Sequence, residues 1–247
     1  VTTSGGVFRG RFIINAAGVH AGEVHELIGE KHFTIRPVKG EYYLLDKSEG
    51  GRVARTIFQC PSAAGKGVLA APTVHGNLIV GPTADPSAPD DVSNTAGGME
   101  AVRTLALRSV PGIRFRENIR NFAGVRANSD RGDFILEESP SAPGFFNAAG
   151  ICSPGLSAAP AIARYLAELM AAKGLGLQEK EAFIDTRRRV RFRELDGGAQ
   201  NELIARDARY GRVICRCETV TEGEILDCLR QPIPPVSING VKRRVGA

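Results

Sequence analysis

Apolar and polar positions change their period several times along the chain, and each change marks an element. Phe12-Ile13-Ile14, inside Arg11 to Asn15, predicts a short buried strand that ends in the small residues Ala16-Ala17-Gly18. Glu23 to Ile28 follows with Val24, Leu27 and Ile28 at helical spacing. The same order of strand, small-residue turn and helix returns at Gly144 to Met170, and the tetrapeptide Asn-Ala-Ala-Gly occurs in both places. In the second unit Ala161, Ile162, Tyr165, Leu166, Leu169 and Met170 predict a long amphipathic helix, with Pro160 in its first turn and Gly174 as its C-terminal cap.

Between these units the period shortens. Glu41 to Leu45, Val53 to Phe58, Val68 to Ala71 and Leu78 to Val80 are strand-like runs broken by Gly, Pro and Asn, which predict antiparallel hairpins. Met99 to Val110 is an amphipathic helix by its spacing, and strands follow near Asn118 to Val125 and Asp133 to Leu136. The expectation is a mixed fold, α/β and α+β, in which one domain is left at about residue 35, a second of mostly antiparallel sheet runs over 36–120, and the first resumes over 121–175. A linker over 176–209 then leads to a small Cys-bearing segment over 210–247.

Composition narrows the class. With 247 residues, 43% of them hydrophobic and 24% charged, the chain is long enough to bury a core without disulfide staples, so its 5 cysteines point to other uses. No apolar run reaches the ~20 residues of a membrane span, and Val1 to Gly10 lacks the zones of a signal peptide. A cytoplasmic, reducing setting is expected, with membrane contact through a partner left open. The chain starts without Met and its end after Leu229 is poor in apolar residues, so a fragment is expected. Its 32 basic residues face 27 acidic ones, and this net +5 does not compel a nucleic-acid partner. The crowded Arg187, Arg188, Arg189, Arg191 and Arg193 have one interleaved aromatic, Phe192, and read as a solvated or interdomain face.

Candidate chemistry concentrates at few positions. Gly18 and Gly150 close strands just ahead of helices, where a backbone can approach a ligand and aim free N–H groups at an anion. The bland alternative is a tight turn with no ligand. Gly155-Leu156-Ser157 sits at the start of the long helix, where the positive end of the helix dipole would stabilise negative charge. Arg126 follows Phe122-Ala123-Gly124-Val125, so a strand carries its guanidinium toward an interior or cleft, there to grip a carboxylate or phosphate or else to pair with Glu137 or Glu138. Lys39, beside Gly40, offers a weaker version of the same signal.

Other features carry less. The 4 histidines show no metal-ligand spacing, and His75, before the turn signal Gly76-Asn77, is the one retained as a candidate near chemistry. Cys215-Arg216-Cys217 places two thiols where they could share one metal, although an iron–sulfur cluster needs four such ligands and Cys228, Cys60 and Cys152 join by no spacing rule. The pair is either an accident or half of a set completed beyond Ala247. Gly65 to Ala70 matches a dinucleotide-binding pattern but reads as a β-turn, because no adequate helix follows. Arg131-Gly132-Asp133 reads as a turn between strands.

Phe12 to Gly18, Lys39-Gly40-Glu41-Tyr42-Tyr43, Gly124-Val125-Arg126 and Asn147 to Leu156 together resemble the C-terminal half of the FAD-dependent oxidoreductases of the D-amino acid oxidase superfamily, in particular glycerol-3-phosphate dehydrogenase-like and 2-hydroxyglutarate-oxidase-like members. Ile214 to Ile225 resembles the start of a bacterioferritin-associated-ferredoxin-like [2Fe-2S] domain. The resemblance implies a partial FAD-binding, Rossmann-like domain over 1–35 and 121–175, an inserted substrate domain, and a truncated [2Fe-2S]-type domain with Cys215 and Cys217 as metal ligands. It implies that Ala17 and Gly18 lie near the adenylate side of FAD, that Gly150, Ile151, Gly155, Leu156 and Ser157 border the isoalloxazine, and that Arg126 anchors the substrate. The implied reaction is hydride transfer from glycerol 3-phosphate or a small 2-hydroxy acid to FAD, with His75 offered as base and electrons leaving through the iron–sulfur module to an acceptor or partner subunit. An amine or amino acid oxidase of the same superfamily, or a non-catalytic electron-transfer or binding subunit, is the alternative. The strand and Gly-loop that hold the FAD pyrophosphate in that family are expected to precede Val1. This chain alone is therefore expected to bind FAD poorly and to hold no complete cluster.

Overall fold

The computed structural model describes residues 1–60, 67–184 and 189–246. They divide into two compact units, Val1–Leu177 and Gln178–Ala247.

In the first unit the chain runs through β1 (Thr2–Thr3) and β2 (Gly6–Val7), a small hairpin, then β3 (Ile13–Asn15), α1 (Ala21–Glu26) and the long β4 (Ile35–Leu45). A short α2 (Lys47–Gly50) precedes β5 (Ile57–Phe58), β6 (Leu69–Pro72), β7 (Leu78–Gly81), β8 (Asp85–Pro86) and α3 (Ala96–Ser109). β9 (Asn118–Ser129), β10 (Ile135–Glu138), β11 (Phe145–Ala149) and α4 (Gly155–Ala172) complete it.

The two Asn-Ala-Ala-Gly segments end neighbouring strands. β11 pairs parallel with β3 in a register that sets Asn147 beside Asn15, and β10 covers the other edge of β11 antiparallel. β11 is buried along its whole length, whereas Ile162, Leu166 and the half-buried Leu169 of α4 pack with Ala148 against it. Parallel neighbours joined by distant crossovers are what the repeated grammar of strand, turn and helix predicts.

The stretch between forms the expected antiparallel sheet, in the order β5-β6-β7-β4-β8, with β9 along the other edge of β4. β4 is longer than its apolar pattern predicts, because Ile35 to Gly40 contributes backbone pairing while Arg36, Pro37, Lys39 and Gly40 interrupt its apolar residues. β7 and β8 share one edge of β4, opposite Tyr43–Leu45 and Val38–Lys39 respectively. α3 covers one face of this sheet: Val102 and Ala106 pack with Leu45, Leu78 and Val80 in a buried cluster. Glu41, only 1% exposed, fixes the start of that helix by accepting from the backbone N–H and hydroxyl of its cap, Thr95. A buried carboxylate at a helix N-terminus is stabilised by the free amides and the dipole there.

Two local readings need correction. α4 begins at Gly155, earlier than Pro160 suggests, so Pro160 lies inside the helix and leaves the Leu156 carbonyl without its i+4 donor. That carbonyl belongs to a residue that is 93% exposed, where water can satisfy it. Val53 to Phe58 yields a strand only at Ile57–Phe58. The helix end follows expectation: Gly174 has φ +90°, and Leu175 N–H reaches the Met170 carbonyl at 3.0 Å, a Schellman closure.

The second unit holds α5 (Gly197–Arg206), β12 (Val213–Cys215), β13 (Val220–Thr221), α6 (Glu222–Leu229) and α7 (Ile238–Val245). α5 lies in the stretch read as a linker and is capped by the Asp196 side chain accepting from Ala199 N–H at 2.9 Å. Thr221 and Glu224 form a reciprocal capping box at the start of α6. Val220, Cys228 and Val245 make its small core, so residues beyond Leu229 do contribute to packing.

Candidate functional site

An open cleft of ≈ 610 Å³ in the first unit is lined by Gly18, Arg126, Ile151, Gly155, Leu156 and Ser157 from the sequence candidates, joined by Val125 and Cys152 among others. Three elements position them. The turn after β3 presents Gly18, whose φ is +60° and whose missing Cβ would stand in open space. β9 presents Arg126. The loop after β11 and the first turn of α4 present the rest.

Electrostatics distinguish this cleft from a hollow of ≈ 670 Å³ beside α3 that contains Arg103, Arg114 and Arg116. Those three are each paired, to Glu100 at 3.4 Å, Glu49 at 2.6 Å and Glu117 at 3.2 Å. Arg126 makes no ion pair among the described residues. Glu137 is taken by His32 at 2.9 Å and Arg131 at 2.8 Å, and Glu138 by Lys173 at 2.6 Å, which removes the internal salt bridge as an explanation. Among the described residues the Arg126 guanidinium meets only a neutral acceptor, the Thr83 carbonyl, at 3.4 Å from each terminal nitrogen. Lys39 differs: it is buried and bound to Asp91 at 2.7 Å.

The start of α4 adds a second feature that favours negative charge. No side chain caps this helix, and the N–H groups of Leu156 and Ser157 meet no acceptor among the described residues. An 18-residue helix thus aims its positive end at the cleft, over a Leu156 side chain that is 93% exposed.

The remaining candidates fall elsewhere. Gly150 is buried with φ +65°, and a Cβ there would come within 2.7 Å of Ser129 Cβ and 3.2 Å of the Asp133 carbonyl, so it serves packing behind the cleft. Ala17 is half-buried against Ala21 and Phe33. His75 is an exposed residue of the β6–β7 turn. Leu45 pairs with Leu78 beside that turn while Val38 pairs with Arg126, so the two sites are separated by seven residues along β4, about 23 Å at the strand rise. That separation corrects the assignment of His75 to the site. The Gly65–Ala70 match lies partly outside the described residues, and its described end runs into β6 rather than a helix.

In the second unit the thiols of Cys215 and Cys217 lie 3.3 Å apart, while Cys228 is buried in its own core. Among the described residues no group of three or more His, Cys, Asp or Glu could hold a metal ion. Two thiols do not make the ligand set of a [2Fe-2S] cluster. Arg191 pairs with Glu194 at 3.7 Å and Arg193 with Glu218, as a solvated face requires; Arg187 and Arg188 lie outside the described residues.

Signals for the missed lining residues were faint. Val125 and Cys152 flank named candidates, but nothing in their type marks a site. More telling is Gly124, which pairs with Gly40 across β4 and β9, on the face that also carries Arg126 and the stacked rings of Tyr42 and Phe122, 5.1 Å apart.

Comparison with known proteins gives this geometry a family. The family described as FAD dependent oxidoreductase, DAO, matches residues 1–169. The chain belongs to it. A glycerol 3-phosphate dehydrogenase of Caloramator mitchellensis is 42% identical over 249 residues, covering 100% of this chain and 52% of that protein. A glycerol 3-phosphate oxidase of Mycoplasma genitalium is 31% identical, covering 66% of this chain and 43% of its own length. The chain therefore spans about half the length of the curated relatives it matches. Among solved structures, the FAD-bound, dithionite-reduced L-α-glycerophosphate oxidase of Mycoplasma pneumoniae superposes with a TM-score of 0.62 at 29% identity, over 69% of this chain and 44% of that one. The mixed α/β fold and FAD as the family's cofactor thus agree with the reading of the sequence.

The cleft fits such a group on its own merits. Gly18 leaves open space at a left-handed turn, the start of α4 offers unpartnered N–H groups, and Leu156 presents an apolar side chain that no neighbour covers. No helix among the described residues is long and apolar enough to cross a membrane.

Proposed function

We propose that this chain supplies the substrate-binding sheet and the flavin-facing turns of a flavin-dependent dehydrogenase that oxidises glycerol 3-phosphate or a small anionic 2-hydroxy acid. The observation that carries the reading is Arg126, a half-buried guanidinium without a counter-ion among the described residues, in the cleft that α4 points into. Similarity to a glycerol 3-phosphate dehydrogenase over the full length of the chain supports the substrate.

When bound, FAD supplies the hydride acceptor. Arg126 grips the phosphate or carboxylate of the substrate through its planar fork and thereby fixes which carbon faces the flavin. The Leu156 and Ser157 N–H groups and the positive end of α4 would stabilise negative charge on a bound flavin, and the exposed Leu156 side chain would offer it an apolar contact that keeps water away.

A second reading, oxidation of an amine or amino acid, keeps Arg126 in the same role, and similarity to glycine oxidases such as that of Pseudomonas aeruginosa, 30% identical over 173 residues, favours it. The iron–sulfur path is also part of the proposal. Similarity to the dehydrogenase covers the whole chain, the second unit included, and Cys215 and Cys217 would supply two of four thiolates there. The test is the visible spectrum of the protein expressed from its complete reading frame, prepared without oxygen and then given glycerol 3-phosphate. Flavin bands that bleach on addition are expected; bleaching by amines alone would overturn the choice of substrate.

A further inference from the structure

Arg126 reaches its place by an unusual route. It belongs to β9, opposite Val38 of β4, yet its terminal nitrogens meet the Thr83 carbonyl, which lies on the far edge of β4. The guanidinium must therefore cross the full width of β4, about 4.8 Å. It crosses at Gly40. A Cβ on that residue would collide with Arg126 Nη2 and would stand 2.8 Å from Pro82 Cβ.

Thr83 is itself held. β7 and β8 pair with β4 at Tyr43–Leu45 and at Val38–Lys39, which leaves Gly40, Glu41 and Tyr42 between them without a strand partner on that edge. The Thr83 hydroxyl fills this gap, accepting from Glu41 N–H at 3.2 Å and donating to the Lys39 carbonyl at 3.4 Å, and the residue is 8% exposed. Its carbonyl is in consequence fixed, and being neutral it orients the guanidinium without cancelling its charge.

We propose that Gly40 and Thr83 are positioning residues for the substrate anion: Gly40 by leaving the path over β4 open, Thr83 by holding the fork of Arg126 toward the cleft with its charge unspent. The inference rests on the reading of Arg126 as the anchor. Oxidation kinetics of glycerol 3-phosphate by the protein expressed from its complete reading frame test it, with flavin content measured for every variant. Gly40→Ala is expected to raise KM at least tenfold with kcat within about threefold and flavin content unchanged. Added to Arg126→Ala, which raises KM by itself, it should raise KM no further. Thr83→Ser should keep the parent KM, and Thr83→Val should raise it several-fold.

An unchanged KM in Gly40→Ala, or the same increase in the presence and absence of Arg126, would overturn the proposal and leave the anchor reading standing. An unchanged KM in Arg126→Ala would instead sink the anchor reading. If Gly40→Ala does not fold, recovery of soluble, flavin-loaded protein on adding Arg126→Ala supports the collision, and failure to recover overturns it. A crystal structure of Gly40→Ala with Arg126 in its parent position would also overturn the proposal, whatever the substrate.

Discussion

The two Asn-Ala-Ala-Gly turns are the same four residues at the ends of adjacent parallel strands, and they do different work. After β3, Gly18 is exposed with empty space at its Cβ position, and the chain continues into a six-residue helix. After β11, Gly150 is buried against Ser129 and Asp133, and the chain continues into 18 helical residues whose second and third amides, Leu156 and Ser157, meet no acceptor among the described residues. Their asparagines differ as well. The Asn15 Nδ2 donates to the Ala21 carbonyl at 2.8 Å and to Asn147 Oδ1 at 3.1 Å, whereas Asn147, 0% exposed, leaves its own Nδ2 without a partner. A tetrapeptide can demand a left-handed bend, but whether the bend opens on a ligand or on a neighbouring hairpin is settled by what packs behind it.

Substituting the glycines should break this comparison most clearly. Gly150→Ala places a Cβ on Ser129 as well as in a left-handed conformation, and a loss of about 2–4 kcal/mol in denaturant unfolding is expected. Gly18→Ala incurs the conformational cost alone, about 1–2 kcal/mol. Equal losses would mean that the two turns are packed alike.

The asparagine pair comes next. Asn15→Ala removes both donations and leaves Asn147 Oδ1 bare in the same buried site, so a loss of about 1–3 kcal/mol is expected from the same measurement. Leu156→Asp then separates stability from function at the start of α4. A carboxylate in the first turn should leave the melting temperature unchanged or raise it by an amount worth about 0.3–1 kcal/mol, while flavin content falls, because the new charge occupies the anion-favouring end of the helix. A parallel fall in melting temperature would show that the exposed Leu156 is part of the fold.

The smallest effect is a pH dependence on the α1 side. His25 is 1% exposed, stacked on His32, with Nε2 on the Ser139 hydroxyl at 3.0 Å and Nδ1 unpartnered. Burial, and secondarily the neighbouring His32, hold its pKa below the ordinary imidazole value of 6.5. The unfolded chain therefore binds a proton more readily, so this contribution is present above about pH 6.5 and is lost as pH falls through and below it. His25→Gln should flatten that limb of a stability-against-pH curve measured between pH 7 and 5. An unaltered limb would show that the burial of His25 is not its source. Glu49 acts outside that window: its burial is outweighed by Arg52 and Arg114, so its pKa is lowered to about 2 and its contribution is lost only as pH falls below about 4.5.

Much of the first unit was legible because its signals are local. The apolar run Phe12 to Ile14, the helical spacing from Ala161 to Met170 and the cap at Gly174 each depend on residues within a few positions of one another. The lone Arg126 after an apolar run was legible for a similar reason: such a charge must find either an anion or a partner. What could not be read was which of these it found, since that depends on Glu137 and Glu138 being claimed by His32, Arg131 and Lys173 from distant segments. His75 shows the converse. Its turn signal is sound, but the register of β4 carries it to the wrong end of the sheet. In the second unit, α5 and α7 went unread because their apolar residues are few and their caps, Asp196 and Ser237, look like ordinary loop residues.

The sequence by itself determined the alternation of strand, turn and helix, the antiparallel character of the middle stretch, and the family, because periodicity and motif order are properties of short segments. Only the tertiary structure decided that Gly18 faces the cleft while Gly150 lies behind it, that the Arg126 guanidinium passes where a Cβ on Gly40 would stand, and that Arg126 meets no carboxylate among the described residues. Each of those outcomes depends on which carboxylates and backbones the folded chain brings within a few ångströms, and Coulomb and steric forces at that range cannot be read from separation along the chain.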